Sequence, residues 1–270
     1  MRTKELKTVK ADLSDKFDEI DVMAISDLHI GDANCNIKFI DKVLEQVRDT
    51  ENMFCVLNGD LINNATRDSV SDVYTEKLTP QQQKSLLYEK LLPIKDKILA
   101  VTSGNHENRT WKKSGVDILY DVCEKLGIED RYCAEGCVLF VRFGKVIGNK
   151  KQSNGSGKVR KLCYSFYITH MSMGGRKSGS KLNAVKSLKE IIDVDIYVGG
   201  HVHEVMGDKD RFFRADPRNN TITSVTKGYM IAGSALNYGG YGQSHMYSPS
   251  ELGYPIARLK SKVKTFNIIV

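Results

Sequence analysis

The chain has 270 residues, of which 41% are hydrophobic and 27% charged, and its formal net charge is +7. This length allows one large domain over residues 1–270 with a sizeable core, and no linker or internal repeat divides it. Residues 1–19 form a polar N-terminal extension without the apolar segment of a signal peptide, and no apolar run is long enough to span a membrane, which excludes a membrane-spanning class.

Five short apolar runs, each followed by polar or turn-forming residues, predict buried strands. They cover residues 20–25, 53–57, 98–101, 164–168 and 194–198. In open α/β sheets, ligands bind beyond the carboxyl ends of the strands. We therefore expect the five strand ends to meet at one rim of the fold.

Helical periodicity fills the segments between these strands. Predicted helices cover residues 36–49, 80–92, 114–126 and 182–192. Thr79 and Pro80 are typical of a helix start, Pro93 of an end or kink, and Gly127 of a C-cap. The leucines expected to face inward on the second helix are Leu86, Leu87, Leu91 and Leu92, and on the third helix Val116 is among the inward residues. Strands alternating with helices predict a largely parallel sheet.

Beyond residue 203 the pattern changes, because strand-like runs follow one another without helices between them. These runs cover residues 221–226, 229–232 and 263–270. We expect the region 204–270 to supply rim loops and the strands of a second sheet, which packs on the first.

Polar blocks of an unusual kind stand at the ends of the predicted strands. In chain order they are Asp27-Leu28-His29, Gly59-Asp60, Gly104-Asn105-His106-Glu107, His170 and Gly200-His201-Val202-His203. They combine hard carboxylate and amide oxygens with imidazole nitrogens, which is a ligand mixture suited to metals that activate water. Each block alone is better explained as a helix cap, a turn or a half-buried histidine. All five in order at strand ends favour a metal site.

This ordered series resembles the calcineurin-like metallophosphoesterases, whose pattern is D-x-H, G-D, G-N-H-E/D, H and G-H-x-H. The resemblance spans residues 27–203 and implies an α/β fold, a four-layer αββα sandwich with two packed mixed sheets. It also implies a binuclear metal-dependent phosphoesterase. Two departures, Val202 where threonine is commoner and Met171 where glycine is expected, affect no ligand position.

The resemblance also assigns ligands to two divalent ions. One ion is bound by Asp27, His29, Asp60 and His203, and the other by Asp60, Asn105, His170 and His201, so that Asp60 bridges them. Mn²⁺ ranks first among the expected ions, with Fe, Ni, Zn and Mg as alternatives. Asn105 and His106 are the expected catalytic pair, and His106 matches the family's histidine that protonates the leaving group.

The chemistry can be argued from the residues as well. Phosphoester hydrolysis adds negative charge to oxygens already surrounded by it, and two metal ions about 3.5–4 Å apart can neutralise that charge and lower the pKa of a shared water. The departing oxygen needs a proton, which His106 can supply as a general acid. Neighbouring residues of an extended loop diverge, so we expect His106 not to join Asn105 as a ligand. Glu107, Glu204 and backbone carbonyls are candidates to orient the ligating histidines.

Basic residues cluster in two stretches of the sequence. The first, within residues 142–161, carries no acidic residue and contains Arg142, Lys145, Lys150, Lys151, Lys158, Arg160 and Lys161. Residues 152–157 inside it predict a flexible turn. Arg176 and Lys177 follow His170 closely in the second stretch and are candidate substrate-binding residues, together with Arg109. Such clusters of positive charge suit the binding of a polyanion, although a solvated surface is the plainer explanation of a run of charged residues.

Three functions follow from these observations. The leading one is a phosphodiesterase or nuclease acting on DNA or RNA. The alternative is a phosphomonoesterase or a cyclic-nucleotide or small-metabolite phosphodiesterase, which a compact, capped pocket would favour. The third is a catalytically inactive metal-binding scaffold. Six cysteines without a Cys-x-x-Cys pair predict reduced thiols, and we expect a cytoplasmic protein with no membrane partner. The oligomeric state is left open by the sequence.

Overall fold

The computed structural model describes residues 5–67, 69, 73–146, 160–172 and 175–270. Its strands are β1 (Lys7–Asp12), β2 (Glu19–Ile25), β3 (Met53–Asn58), β4 (Ile98–Thr102), β5 (Tyr132–Cys133), β6 (Cys137–Val146), β7 (Arg160–Ile168), β8 (Ile196–Gly199), β9 (Met206–Asp216), β10 (Thr221–Ile231), β11 (Ile256–Lys260) and β12 (Phe266–Ile269). Its helices are α1 (Ile37–Asp49), α2 (Pro80–Leu91), α3 (Asn105–Ser114), α4 (Ile118–Leu126), α5 (Ser178–Ser187) and α6 (Gly240–Ser244).

The strands form two mixed sheets of six strands each. The first sheet has the order β12-β11-β2-β3-β4-β5, and its strands from β2 to β5 are parallel. The second sheet has the order β1-β6-β7-β8-β10-β9, in which β7, β8 and β10 are parallel and β9 is antiparallel to β10. Both sheets direct the carboxyl ends of their central parallel strands to the same rim.

The main apolar core lies between the two sheets and continues beneath the helices of the first. It contains Val22 and Leu57 of the first sheet and Leu139 and Phe166 of the second, all nearly or fully inaccessible to solvent. Helix α1 adds its buried face, Ile40, Val43, Leu44 and Val47, to the same core. A separate cluster, with Val185, Tyr197 and Tyr229, joins α5 to the outer face of the second sheet. The four-layer αββα sandwich is thus confirmed.

The helices begin close to where their capping residues predict. The Thr79 side chain accepts a hydrogen bond from Gln82 N, and Gln82 reciprocates in a capping box at the start of α2. At Leu92 the chain changes to a 3₁₀ segment, Leu92–Lys97, which contains Pro93. Gly127 ends α4 with a positive φ of 72°, as a C-cap glycine should.

Several predicted details of the helices were wrong. Leu92 is 43% exposed, and the buried polar residue of α2 is Gln83. The third predicted helix is two helices, because α3 ends at Ser114 and α4 starts at Ile118 after the N-cap Asp117; Val116 between them is exposed. The helical periodicity of the sequence did not separate α3 from α4, because the turn that connects them is short. The fourth helix starts earlier than predicted, at Ser178.

The strands at the sheet edges differ most from the sequence expectation. Part of the polar N-terminal extension, Lys7–Asp12, pairs in parallel with β6. The region 204–270 is divided between the sheets, because β9 and β10 extend the second sheet whereas β11 and β12 pair onto β2 of the first. The two runs predicted over residues 221–232 are one long strand, β10. Edge strands bury only part of their surface, so their apolar signal is weak.

Within the described residues, no helix combines the length and apolar character needed to cross a membrane.

Candidate metal centre

The candidate ligands come together at the rim where both sheets end. Asp27 follows β2, Asp60 follows β3 and Asn105 opens α3 directly beyond β4, all in the first sheet. His170 follows β7 and His201 follows β8 in the second sheet. The two packed sheets therefore face each other across a single polar site.

One cluster of this site contains Asp27, His29 and His203. His203 Nε2 lies 3.0 Å from Asp27 Oδ1 and 3.2 Å from His29 Nε2. Asp27 and His29 are buried, whereas the His203 side chain is 35% exposed. The open side of this cluster is therefore at His203.

A second cluster contains Asp60, His170 and His201. His170 Nε2 lies 3.1 Å from Asp60 Oδ2, and the rings of His170 and His201 are 5.4 Å apart. Asp60 also belongs to a third group with His29 and His106, so its carboxylate stands between both ligand sets. This is the position expected of a bridging residue.

The donor set fits divalent cations. Asp27 Oδ1 and His170 Nε2 are buried without a hydrogen-bond partner among the described residues, although each has a ligand-type atom within 3.1 Å. Buried polar atoms are normally hydrogen-bonded, so two such atoms, each beside another ligand-type atom, fit a site for a cation. Carboxylate oxygens mixed with imidazole nitrogens suit metals of the Mn, Fe, Ni and Zn type.

The electrostatics of the site agree with that fit. Burial by itself would raise the pKa of Asp27, but the imidazoles of His203 and His170 hold it well below its usual range. Burial would lower the pKa of His170, but the charges of Asp60 and Asp27 raise it to about 10. The two buried carboxylates thus impose a negative potential strong enough to retain a proton on His170. A bound cation would satisfy the same potential.

Left-handed backbone turns point the candidate ligands into the site. Asp27, His29, Asp60, His201 and His203 all have φ between 47° and 70°. This conformation is uncommon outside glycine, and each such residue costs about 1–3 kcal/mol. Strain of this kind is kept where the surrounding structure enforces it and a functional arrangement needs it.

Two glycines allow the loops after β3 and β4 to approach each other closely. Gly59 has a φ of 79°, and a Cβ there would lie 2.5 Å from the backbone nitrogen of Gly104. A Cβ on Gly104 would overlap the carboxylate of Asp60. Any larger residue at either position would push apart the loops that carry Asp60 and Asn105.

Glu107 has a different role from the one expected of it. Its buried carboxylate accepts four backbone hydrogen bonds, from Asp60 N (3.0 Å), Leu61 N (2.7 Å), Ile62 N (3.2 Å) and Gly104 N (2.9 Å). Burial, with the charge of Asp60, raises the pKa of Glu107, while the backbone donors oppose that rise. Glu107 therefore holds the loops after β3 and β4 together, and within the described part of the chain it forms no hydrogen bond with a histidine.

Other groups orient the histidines. His170 Nδ1 lies 2.7 Å from the carbonyl oxygen of Asn58, and His29 Nδ1 lies 3.2 Å from Asn63 Oδ1. Both contacts use Nδ1 of the histidine and leave its Nε2 directed into the clusters of candidate metal ligands. Glu204 accepts instead from Ser178 and from Lys181 Nζ at 2.8 Å, so only the backbone-carbonyl part of the prediction was right. Asn63 was not predicted from the sequence, where its only signal is its place three residues after Asp60.

His106 and Arg109 contact each other in the first turns of α3. His106 thus lies on a helix and not in an extended loop. Its Nδ1 is 2.6 Å from the Asn63 carbonyl oxygen, and its Nε2 is 3.0 Å from Arg109 Nη2. Arg109 Nη1 also donates to the Asn63 carbonyl oxygen at 3.0 Å. Because the guanidinium only donates, His106 Nε2 is the acceptor and its proton is on Nδ1.

The same surroundings decide the charge of His106. Burial lowers its pKa to about 3, and the positive charges of His29 and Arg109 add to this against the pull of Asp60. Its Nε2 is 3.8 Å from Asp60 Oδ2, so its distance alone would also permit metal binding. The guanidinium beside Nε2 argues against that, since a cation there would face Arg109 directly.

A cavity of about 370 Å³ opens over the two clusters. Its floor includes His29, Asp60, Asn105, His201 and His203, and its rim includes His106 and Arg109. The wall opposite α3 comes from the C-terminal segment between Ser234 and Ser250, including the half-exposed Tyr238 and Tyr247. The segment between Ser234 and Ser250 therefore closes one side of the metal centre.

The predicted basic residues lie mostly outside this cavity. Arg176 and Lys177 are exposed just before α5, and the Arg176 guanidinium lies 5.5 Å from the ring of the cavity residue Tyr247. Among the described residues, the lining includes their neighbours Gly175 and Lys181. Lys161 Nζ donates to the Leu13 carbonyl, away from the site. Lys150, Lys151, Lys158, the predicted turn 152–157 and the Arg160 side chain lie outside the described residues.

Comparison with known proteins agrees with this geometry. The model of the calcineurin-like phosphoesterase family matches residues 20–205. No curated protein sequence matched significantly.

Among solved structures, the chain is similar to a predicted phosphoesterase from Streptococcus pneumoniae, with 14% identity, a TM-score of 0.37, and coverage of 93% of this chain and 90% of that one. It is also similar to a metallophosphoesterase from Sphaerobacter thermophilus (10% identity, TM-score 0.39, coverage 93% and 89%). A third match is the NAD nucleotidase of Haemophilus influenzae, with 12% identity, a TM-score of 0.36, and coverage of 93% of this chain and 49% of that one. Because these TM-scores are low, the family assignment rests on the match over residues 20–205.

Proposed function

The chain belongs to the calcineurin-like phosphoesterase family of hydrolases, and from that premise we propose that it is a binuclear phosphodiesterase whose substrates are DNA or RNA. The observation that carries the proposal is the convergence of three Asp/His clusters among the described residues, with Asp60 in two of them and His29 in two of them. In this proposal Asp27, His29, Asp60 and His203 bind one divalent ion, and Asp60, Asn105, His170 and His201 bind the other.

When bound, the two ions would neutralise charge on the phosphoryl oxygens and activate a water for attack on phosphorus. The protein's own part is to hold the donors in place. Asp60 is fixed because its Oδ1 accepts from His106 N at 2.8 Å and its backbone N–H donates to Glu107. Pre-set geometry of this kind lets the site meet the developing charge without reorganisation.

Arg109 and His106 have separate roles in this proposal, the first in substrate binding and the second in proton transfer. Arg109 stands at the rim, where its guanidinium can donate two parallel hydrogen bonds to a phosphate. A phosphate that draws Arg109 away from His106 Nε2 also removes a positive charge that depresses the pKa of His106. Burial still lowers the pKa of His106, so the negative charge of the bound phosphate is also needed for Nε2 to carry a proton and donate it to the departing oxygen. Substrate binding would thereby prepare the general acid.

Support for a nucleic-acid substrate comes from charge beyond the cavity. Arg176 and Lys177 are exposed outside the cavity, and the Arg176 guanidinium lies 5.5 Å from the ring of the wall residue Tyr247. A backbone phosphate outside the cavity would meet these side chains while its neighbour occupies the centre. Such contacts release counterions and make affinity depend steeply on salt.

One observation favours a smaller phosphoester as the second candidate. The segment between Ser234 and Ser250 walls the cavity, and a volume of about 370 Å³ matches a mononucleotide-sized ligand better than a duplex. A phosphomonoesterase or a small phosphodiesterase would use the same metals, Arg109 and His106. It would not need Arg176 or Lys177.

One comparison separates the two candidates. The purified protein is loaded in turn with Mn²⁺, Mg²⁺, Ni²⁺ or Zn²⁺ and assayed on bis-p-nitrophenyl phosphate, p-nitrophenyl phosphate, cyclic nucleotides, single- and double-stranded DNA, and RNA. The nucleic-acid proposal expects salt-sensitive oligonucleotide cleavage that falls in the Arg176→Ala/Lys177→Ala variant. The matched control is Lys42→Ala/Arg48→Ala, which removes one lysine and one arginine from the exposed side of α1. Equal activity of both variants on oligonucleotides would favour the small phosphoester.

A further inference from the structure

The hairpin of β9 and β10 extends beyond the sheet to which it belongs. Strand β8 pairs with β10 only over Gly228–Ile231, whereas β9 pairs with β10 along its whole length from Thr221 to Ile231. The pairs from Arg211 opposite Thr226 to Asp216 opposite Thr221 therefore form a two-stranded ribbon. We call these two stretches, residues 211–216 and 221–226, the ribbon.

The ribbon exposes large apolar side chains on both of its faces. Phe213 is 79% exposed and Ile222 is 73% exposed on one face, and Phe212 is 41% exposed on the other. A two-stranded ribbon is marginally stable in water, because neither face is buried against a sheet or helix. Exposed aromatic residues on such an element indicate a surface that another molecule covers.

Strand β9 is also the last strand of its sheet, so its outer edge has no strand neighbour in the described part of the fold. Alternate peptide groups along that edge face away from β10 and can bond to a further strand. Proteins protect such edges with charges, and the charges here follow a particular pattern. Asp210, Phe212 and Arg214 share one face, since Asp210 pairs with Lys186 of α5 and Arg214 with Asp193 just beyond α5.

We propose that this edge is a homodimer interface, in which β9 pairs antiparallel with β9 of a second copy around a two-fold axis at Phe212. In that register Asp210 faces the partner's Arg214, and Arg214 faces the partner's Asp210. Phe212 faces its own copy, and on the opposite face Arg211 meets the aromatic ring of the partner's Phe213. Within residues 209–215 no like charges are opposed, whereas at the ends of the paired stretch Asp208, which pairs with Lys186, faces Asp216 of the second copy.

Neighbouring registers lack this complementarity. Moving the axis to between Phe212 and Phe213 sets Arg211 against the partner's Arg214. Moving it to between Arg211 and Phe212 sets Lys209 against Arg214, and moving it to Arg211 sets that arginine against itself. Opposed like charges destabilise a strand pair whereas opposite charges and aromatic pairs stabilise it. Residues 209–215 of β9 therefore favour the register centred on Phe212 over these three neighbours.

A second copy fits this edge better than a polyanion does. Asp208, Asp210 and Asp216 alternate with the basic residues of β9 and would repel a phosphate backbone. Of these aspartates, Asp210 is a partner for arginine in the self-paired register, where it faces Arg214 of the second copy. The interface also leaves the cavity open, since no residue of β9 or β10 is part of its described lining.

Charge reversal tests the register. Sedimentation velocity over a wide range of protein concentration is measured for the wild type, Arg214→Asp, Asp210→Arg and the double variant Asp210→Arg/Arg214→Asp. The wild type is expected to show a concentration-dependent dimer. Each single reversal opposes like charges twice per dimer and should weaken dimerisation by about tenfold or more. The double variant exchanges the charges across the axis and should restore dimerisation in part, because both reversals also oppose the intramolecular partners Lys186 and Asp193.

Controls keep the result interpretable. Arg218→Glu reverses an exposed charge at the tip of the hairpin, outside the paired register, and should dimerise like the wild type. Thermal unfolding by circular dichroism checks that each variant is folded. If a single-reversal variant does not fold, the double variant still provides the test. A monomeric wild type at all concentrations, failure of the double variant to restore dimers, or reversals without effect would each overturn the proposal. So would a monomer whose β9 variants lose binding to an oligonucleotide.

Discussion

Glu107→Gln is the most specific test of how the site is held together. The substitution keeps the size of the side chain and removes its charge and one acceptor oxygen. In the structure Oε1 accepts from Leu61 N and Ile62 N, while Oε2 accepts from Asp60 N and Gly104 N. The amide nitrogen of glutamine must replace one of these oxygens, and two buried N–H groups then face another donor.

The expected loss follows from those two donors. A buried donor left without an acceptor costs about 1–3 kcal/mol, so two cost about 2–6 kcal/mol. Removing the charge also relieves repulsion from Asp60, which offsets part of the loss. The net loss is still a large part of the roughly 5–15 kcal/mol that stabilises a typical domain.

Urea denaturation of the metal-free protein measures this loss as a change in the free energy of unfolding. The matched control is Glu89→Gln on the exposed side of α2, where the same chemical change should alter the free energy by less than about 0.5 kcal/mol. Metal affinity should also fall in Glu107→Gln, because hydrogen bonds to one carboxylate would no longer hold the loops of Asp60 and Asn105 together. A Glu107→Gln protein as stable as the control would refute the role derived for this carboxylate.

Three further outcomes test the proposed chemistry. Asp60→Asn should reduce two bound metal ions per chain to one or none and abolish turnover; elemental analysis that finds two ions would contradict the bridge. His106→Ala should keep both metals and lose about 10²–10⁴-fold on substrates with alkoxide leaving groups. It should lose less on nitrophenyl esters, whose leaving group needs little protonation, and equal losses on both substrates would argue against a general acid. Neutralising Arg176 and Lys177 should flatten the salt dependence of oligonucleotide binding and leave bis-p-nitrophenyl phosphate hydrolysis unchanged, so a parallel fall in both would exclude a backbone-binding role.

The sequence by itself predicted the centre of the fold and the residues that gather there. Strands β2, β3, β4 and β8 and the second half of β7 are largely buried on both faces, so they appear as apolar runs, and the polar residue at the end of each marks where it stops. Parallel strand ends meet at one rim, which is why Asp27, Asp60 and His170 could be placed together from their order alone.

Only the tertiary structure decided what these residues contact. The edge strands β1 and β9 carry little apolar signal, and their positions depend on partners far away in the chain. Glu107 looked like a partner for histidine, but it binds backbone N–H groups of a loop more than 40 residues earlier. The hydrogen bond between Arg109 and His106 depends on side-chain directions that spacing does not specify. Local patterns record which residues are buried, whereas long-range hydrogen bonds depend on how the chain is folded back on itself.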